Sequence, residues 1–158
     1  PDEISSVETQ ELLKDMWETM DEYGGVGLAA PQIGVSKQLA VIRIEEDNES
    51  YPEADKSEEI VIFNPTITNL DDTLQGFWEG CLSVPGLRGV VFRPRKVQVD
   101  FLDESANKKT LIAEDFLATV FQHELDHLFG KLFIDRIDDI TTLSFEEEII
   151  LSDEEKEL

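Results

Sequence analysis

Two histidines and one cysteine are all that this chain of 158 residues offers among the side chains that most readily bind soft metals. The lone thiol, Cys81, excludes an intrachain disulfide and fits a reducing compartment. Basic residues are scarce as well: 13 Lys and Arg against 36 Asp and Glu leave a formal net charge of -23. Such a surplus repels nucleic acid and anionic membrane surfaces, so no direct binding to either is expected. Its simplest effect is a heavily solvated surface. No apolar run approaches the roughly 18 residues of a spanning helix. The opening PDEISSVETQ has neither the apolar stretch of a signal peptide nor the Arg-rich character of a transit peptide, and a cytoplasmic location is expected. With 41% hydrophobic residues, the chain can bury one good core, so a single domain over 1–158 is expected.

No internal repeat breaks the chain, and its one long polar stretch is the charged loop EEDNESYPEADKSEE (45–59). Residues 5–22 read as a helix, with Leu13, Met16, Trp17 and Met20 at helical spacing, a capping box from Ser5 and Glu8, and Gly24-Gly25 as the stop. The runs 38–44, 59–68, 96–102 and 109–114 are rich in branched residues and read as strands, the last two joined by a hairpin turn at DESANKK. Helix signals return over 114–130, with acidic Glu114 and Asp115 in the first turn and Gly130 at the C-cap. The acidic tail from 141 onward holds at most a short strand or helix. The expected fold is α+β, with antiparallel or mixed sheet packed around a central helix.

Both histidines sit on that helix, in QHELDHLF (122–129). At about 100° per residue, His123 and His127 lie about 40° apart, one turn above the other, and can chelate one ion. Glu124 lies on the same arc, outside the ligand set but close enough to take a proton from a water polarised by the metal. The flanking Leu117, Val120, Phe121, Leu125 and Leu128 make the surroundings apolar, where an imidazole needs a partner.

The third ligand decides the chemistry. One protease group supplies a third His six residues after the second, beyond a Gly turn; Gly130 is present here, but Phe133 holds the His position. A downstream Glu146, Glu147 or Glu148 would make the chain a zinc endopeptidase. Cys81, in EGCLSVPG before the Pro85-Gly86 turn, would complete a thiolate and two-imidazole site with a position open to water. Earlier in the chain, Gly25, Val26 and Gly27 suit close approach by a ligand backbone, and an extended peptide could join this edge as an added strand.

Taken together, GVGLAAPQIG (25–34), EGCLSVP (79–85) and QHELDHLFGKLF (122–133), in this order and separation, resemble the peptide deformylase family. The resemblance implies a metallohydrolase that removes the formyl group from the N-terminal formyl-methionine of nascent chains. It implies Cys81, His123 and His127 as ligands of one divalent ion, Fe(II) physiologically, with Zn, Ni or Co able to occupy the site. It further implies Glu124 as general base and acid, with the Gln32 amide and the Leu82 backbone N–H as oxyanion donors. By the same likeness, Val26, Leu82, Phe116, Thr119 and Val120 surround the methionine side chain, Arg88 lies at the substrate cleft, and Glu79 pairs with Arg93 to brace the Cys81 loop. Typical members carry a further N-terminal segment and a basic C-terminal helix that docks the ribosome. Neither is seen in this sequence, so only transient ribosome proximity is expected.

Overall fold

The computed structural model describes residues 3–45 and 56–149. Helix α1 (Val7–Glu22) is followed by strands β1 (Gly27–Ala29), β2 (Leu39–Ile42), β3 (Ile60–Cys81), β4 (Val84–Leu102) and β5 (Lys108–Glu114), then helix α2 (Asp115–Leu128) and a short β6 (Ser144–Phe145). The strands form one antiparallel sheet in the order β1-β2-β3-β4-β5, with β6 added to β4. The α+β expectation holds, and the described pairing is antiparallel throughout. No described helix is long and apolar enough to cross a membrane.

Alternation along β2 and β3 explains how two helices share one sheet. Val41 and Val61 belong to the cluster under α1 with Leu13, Met16, Met20, Leu28, Leu39 and Phe63. Their neighbours Ile42 and Ile62 point the other way, into the cluster around α2 with Val97, Val99, Phe121 and Leu125. Met16, Ile42, Ile62 and Phe121 are wholly buried, each contributing about 1.5–3 kcal/mol over an exposed state. Helix α1 starts one residue later than the expected capping box: the Ser6 hydroxyl, not Ser5, accepts the Thr9 N–H at 3.2 Å. It ends at Gly24, whose φ of 65° is readily adopted only by glycine.

The main departure from the sequence reading is the length of the β3–β4 hairpin. The run expected to stop at Thr68 continues to Cys81, and the strand expected from Lys96 begins at Val84, with a turn at Leu82-Ser83. Polar Asn69, Asp71 and Asp72 interrupt the apolar pattern, but β3 stays paired with β4 across several register shifts. At Gly76 the ring of Phe92 fills the space where a side chain would stand, 2.8 Å from an added Cβ. The hairpin carries Cys81 to its tip, facing the helix that carries the histidines.

Most of the expected loop 45–59 lies outside the described residues. Beyond α2, the chain doubles back along β4. Ile137 packs over Gly89, where a Cβ would come within 2.5 Å of its Cδ1. The Val90 N–H donates to the Thr142 hydroxyl at 3.1 Å. Ser144 and Phe145 then pair with Arg88 and Leu87, and one 3-10 turn follows at Glu146–Glu148.

Candidate metal centre

Helix α2 is amphipathic in an unusual sense, since its buried face carries chemistry as well as hydrocarbon. Glu124, Asp126 and His127 are buried on it beside Val120, Phe121 and Leu125. The His123 and His127 rings meet nearly edge-on, 5.0 Å between centroids. From the hairpin tip, Cys81 brings its Sγ to 3.4 Å from His127 Nε2. One donor atom from each of Cys81, His123 and His127 lies within 4.8 Å of the others. Donors bound at 2.0–2.3 Å around a tetrahedral ion stand roughly 3.5 Å apart, so this set fits one cation of the zinc or ferrous type.

The surrounding groups fit an ion as well. His123 Nδ1 is 2.9 Å from Glu79 Oε2, which leaves the other ring nitrogen for the donor set. Glu79 is gripped by Arg93 through Nε at 2.6 Å and Nη2 at 3.1 Å. Arg93 donates onward to Asp126 at 2.9 Å, and Asp126 also accepts from Arg136 at 2.6 and 3.1 Å. Burial pushes the Glu79 carboxyl up, but hydrogen bonds from His123 and Arg93 outweigh it and hold it below the usual range. Burial likewise raises the Cys81 thiol, yet the His123 and His127 imidazoles bring it down to about 6, so the thiolate needed for ligation is accessible near neutral pH.

Glu124 is the exception to this pairing. Its Oε2 is buried without a hydrogen-bond partner, and burial raises its carboxyl above the usual range while the two imidazoles pull the other way. A carboxylate left so is poised to accept a proton. The backbone of Gly27 presses against it: an added Cβ there would meet Glu124 Cδ at 2.6 Å and Cγ at 2.7 Å.

Gln32 reaches the site from the 3-10 turn Ala30–Ile33. Its Oε1 accepts the Ala29 N–H at 2.8 Å, which orients its Nε2 toward Ser83 Oγ at 3.1 Å and Cys81 Sγ at 3.5 Å. A cavity of about 340 Å³ opens over these groups. Gly25, Val26, Gly27, Gln32, Cys81, Leu82, Arg88, Phe116, Thr119, Val120, His123 and Glu124 all line it, so the sequence-derived set comes together around one space, with His127 just behind. Phe116 stands edge-on to Phe77 at 5.5 Å, firming the apolar wall. Among the described residues the donor set includes none of Glu146, Glu147 or Glu148, and Glu146 pairs with Arg88 at 2.9 Å instead. Sequence reasoning missed Asp126 and Arg136, although a carboxylate in an apolar helix segment signals a buried partner.

The family model described as polypeptide deformylase matches residues 2–142. A peptide deformylase of Leptospira biflexa is 48% identical over 147 residues, covering 93% of this chain and 82% of its own. Peptide deformylase 2 of Pseudomonas putida is 43% identical over 91% of this chain and 80% of its own. Among solved structures, the class I type b peptide deformylase of Acinetobacter baumannii with bound Met-Ala-Ser superposes with a TM-score of 0.81 at 38% identity, over 84% of this chain and 83% of that one. The enzyme of Synechococcus elongatus in complex with actinonin gives 0.76 at 38% identity, over 85% and 68%. With the family model matched over most of its length and relatives at 43% and 48% identity, the chain belongs to the polypeptide deformylase family.

Proposed function

We propose that this chain hydrolyses the formyl amide of N-formyl-methionyl peptides, releasing formate, with Fe(II) as its physiological ion. The observation that carries this is the buried, unpartnered Glu124 carboxylate beside a donor set of one sulfur and two imidazole nitrogens in a single cavity. Cys81, His123 and His127 would hold a divalent cation, which would supply Lewis acidity and lower the pKa of water toward neutrality.

The protein's own groups account for the remainder. Glu124 takes the proton of the attacking water and delivers it to the amine nitrogen, so that a poor leaving group departs neutral. The Gln32 Nε2, oriented by the Ala29 N–H, and the Leu82 backbone N–H donate to the oxygen on which negative charge develops, each worth around 3 kcal/mol. Val26, Leu82, Phe116, Thr119 and Val120 form an apolar wall suited to a methionine side chain. Gly25 to Gly27 let the substrate backbone lie close, and Arg88 borders the far part of the cleft. Met-Ala-Ser, the peptide bound in the Acinetobacter baumannii enzyme, is the product expected from the corresponding formyl peptide.

The endopeptidase reading is disfavoured: among the described residues the donor set closes with Cys81 and includes none of Glu146, Glu147 or Glu148, and Glu146 is engaged by Arg88. The test is formate release from formyl-Met-Ala-Ser, assayed without oxygen and with metal content determined. Glu124→Gln should lower kcat about 10²–10⁴-fold with metal retained. Metallated protein that leaves this peptide intact, or a Glu124→Gln variant as active as the parent, overturns the proposal.

A further inference from the structure

The tail that returns along β4 ends at the mouth of the cavity. Pairing of Ser144 with Arg88 and of Phe145 with Leu87 fixes its direction, and Glu146 becomes part of the same lining as Gln32, Cys81 and Glu124. Its Oε1 lies 2.9 Å from Arg88 Nε. The two partners differ in exposure: the Arg88 side chain is 16% exposed and that of Glu146 is 59%. The guanidinium is therefore turned into the wall, while the carboxylate is the member that an entering peptide meets.

The other charges around the cavity do not offset it. Glu79 is consumed by Arg93 and His123, and Glu124 lies deep beside Gly27. Arg88 is the one arginine or lysine among the lining residues, and Glu146 faces it. A carboxylate on the substrate would have to compete with Glu146 for that guanidinium. An ammonium would find the carboxylate in its path.

Resting on the deformylase reading, we propose that Glu146 is a specificity-determining residue: held by Arg88 at the cleft mouth, it disfavours formyl peptides with an acidic side chain in the two residues after methionine and favours those with Lys or Arg. One exposed charge pair is worth about a three- to fivefold change in rate constant, screened by salt.

The experiment compares kcat/KM for formyl-Met-Lys-Ser-amide with formyl-Met-Glu-Ser-amide, and for formyl-Met-Ala-Lys-amide with formyl-Met-Ala-Glu-amide; the amides remove the terminal carboxylate. In at least one pair the parent should prefer the Lys peptide, Glu146→Gln should reduce the preference about three- to fivefold, and Glu146→Lys should reverse it. At about 1 M KCl, where the screening length falls to about 3 Å, the parent's preference should shrink toward unity. Glu147→Gln changes the net charge of the tail equally but does not line the cavity, and should leave the ratio where it was. Equal ratios in the parent and Glu146→Gln, or an equal effect from Glu147→Gln, overturn the inference while the deformylase reading stands. No formate from any of the four peptides overturns that reading itself.

Discussion

Replacing Gly27 by alanine tests whether the position of Glu124 matters independently of its presence. Gly27 lies in extended β1 with no positive φ, so the backbone accepts alanine without strain. The new methyl group, however, would stand 2.6–2.7 Å from Glu124 Cδ and Cγ, well inside ordinary contact. Something must yield by about 1 Å. The strand is hydrogen-bonded to β2 from Gly27 to Ala29, whereas the glutamate side chain has rotatable bonds, so the carboxylate moves. A displacement of about 1 Å in a reacting group costs on the order of 10²-fold in rate. The expected result is kcat/KM lowered about 10²-fold in formate release, metal content unchanged, and a thermal midpoint within a few degrees of the parent. Activity within about threefold of the parent would refute the argument that Glu124 acts from the place it occupies. Loss of metal would show instead that the methyl group displaced the histidines.

Two further predictions follow from the groups around the site and the β4–β5 turn. Glu79→Ala removes the partner of His123 Nδ1 and leaves Arg93 buried with Asp126; metal affinity, measured by competition with a chelator, should fall about 10–100-fold, and denaturant unfolding of the metal-free protein should show a loss of about 3–5 kcal/mol. At the turn between β4 and β5, Asp103 accepts backbone N–H groups from Asn107 and Ser105, which hold its carboxyl below 3.8. Its stabilising contribution is thus present above the unfolded value and lost as pH falls through the lowered one, which NMR titration of the carboxyl carbons should detect as a midpoint below 3.8.

How far the sequence revealed this molecule can be judged residue by residue. The two helices were legible because Leu13, Met16 and Met20, and Val120, Phe121 and Leu125, recur at the helical period and are in fact buried. The strand ends were not. From Asn69 to Gln75 polar residues break the apolar pattern, and from Pro85 to Arg95 proline, glycine and arginine interrupt Leu87, Val90, Val91 and Phe92; what keeps these stretches extended is the opposite strand, a partner that no local window contains. The site was legible because HELDH carries its ligands four residues apart. Cys81 needed the three-motif resemblance, since nothing local ties a thiol to a histidine 42 residues downstream. Asp126 and Arg136 escaped because their roles depend on Arg93 lying between Glu79 and Asp126, a fact of tertiary packing. Glu146 was weighed for the wrong cation: the same carboxylate found a guanidinium at the mouth of the cleft.

The long hairpin also limits how the gene can change. Side chains alternate along a strand, so Phe77, Glu79 and Cys81 share the face turned toward α2. Inserting one codon between the irregular pairing near Leu74 and Phe77 would rotate Phe77 and Glu79 outward and offer Gly76 and Trp78 in their stead. Inserting two would restore the facing at the cost of reach. Lineages can therefore lengthen this arm near Asn69 to Leu74, where irregular pairing absorbs an odd residue, while the run from Phe77 to Gly80, paired without a break, must keep its parity.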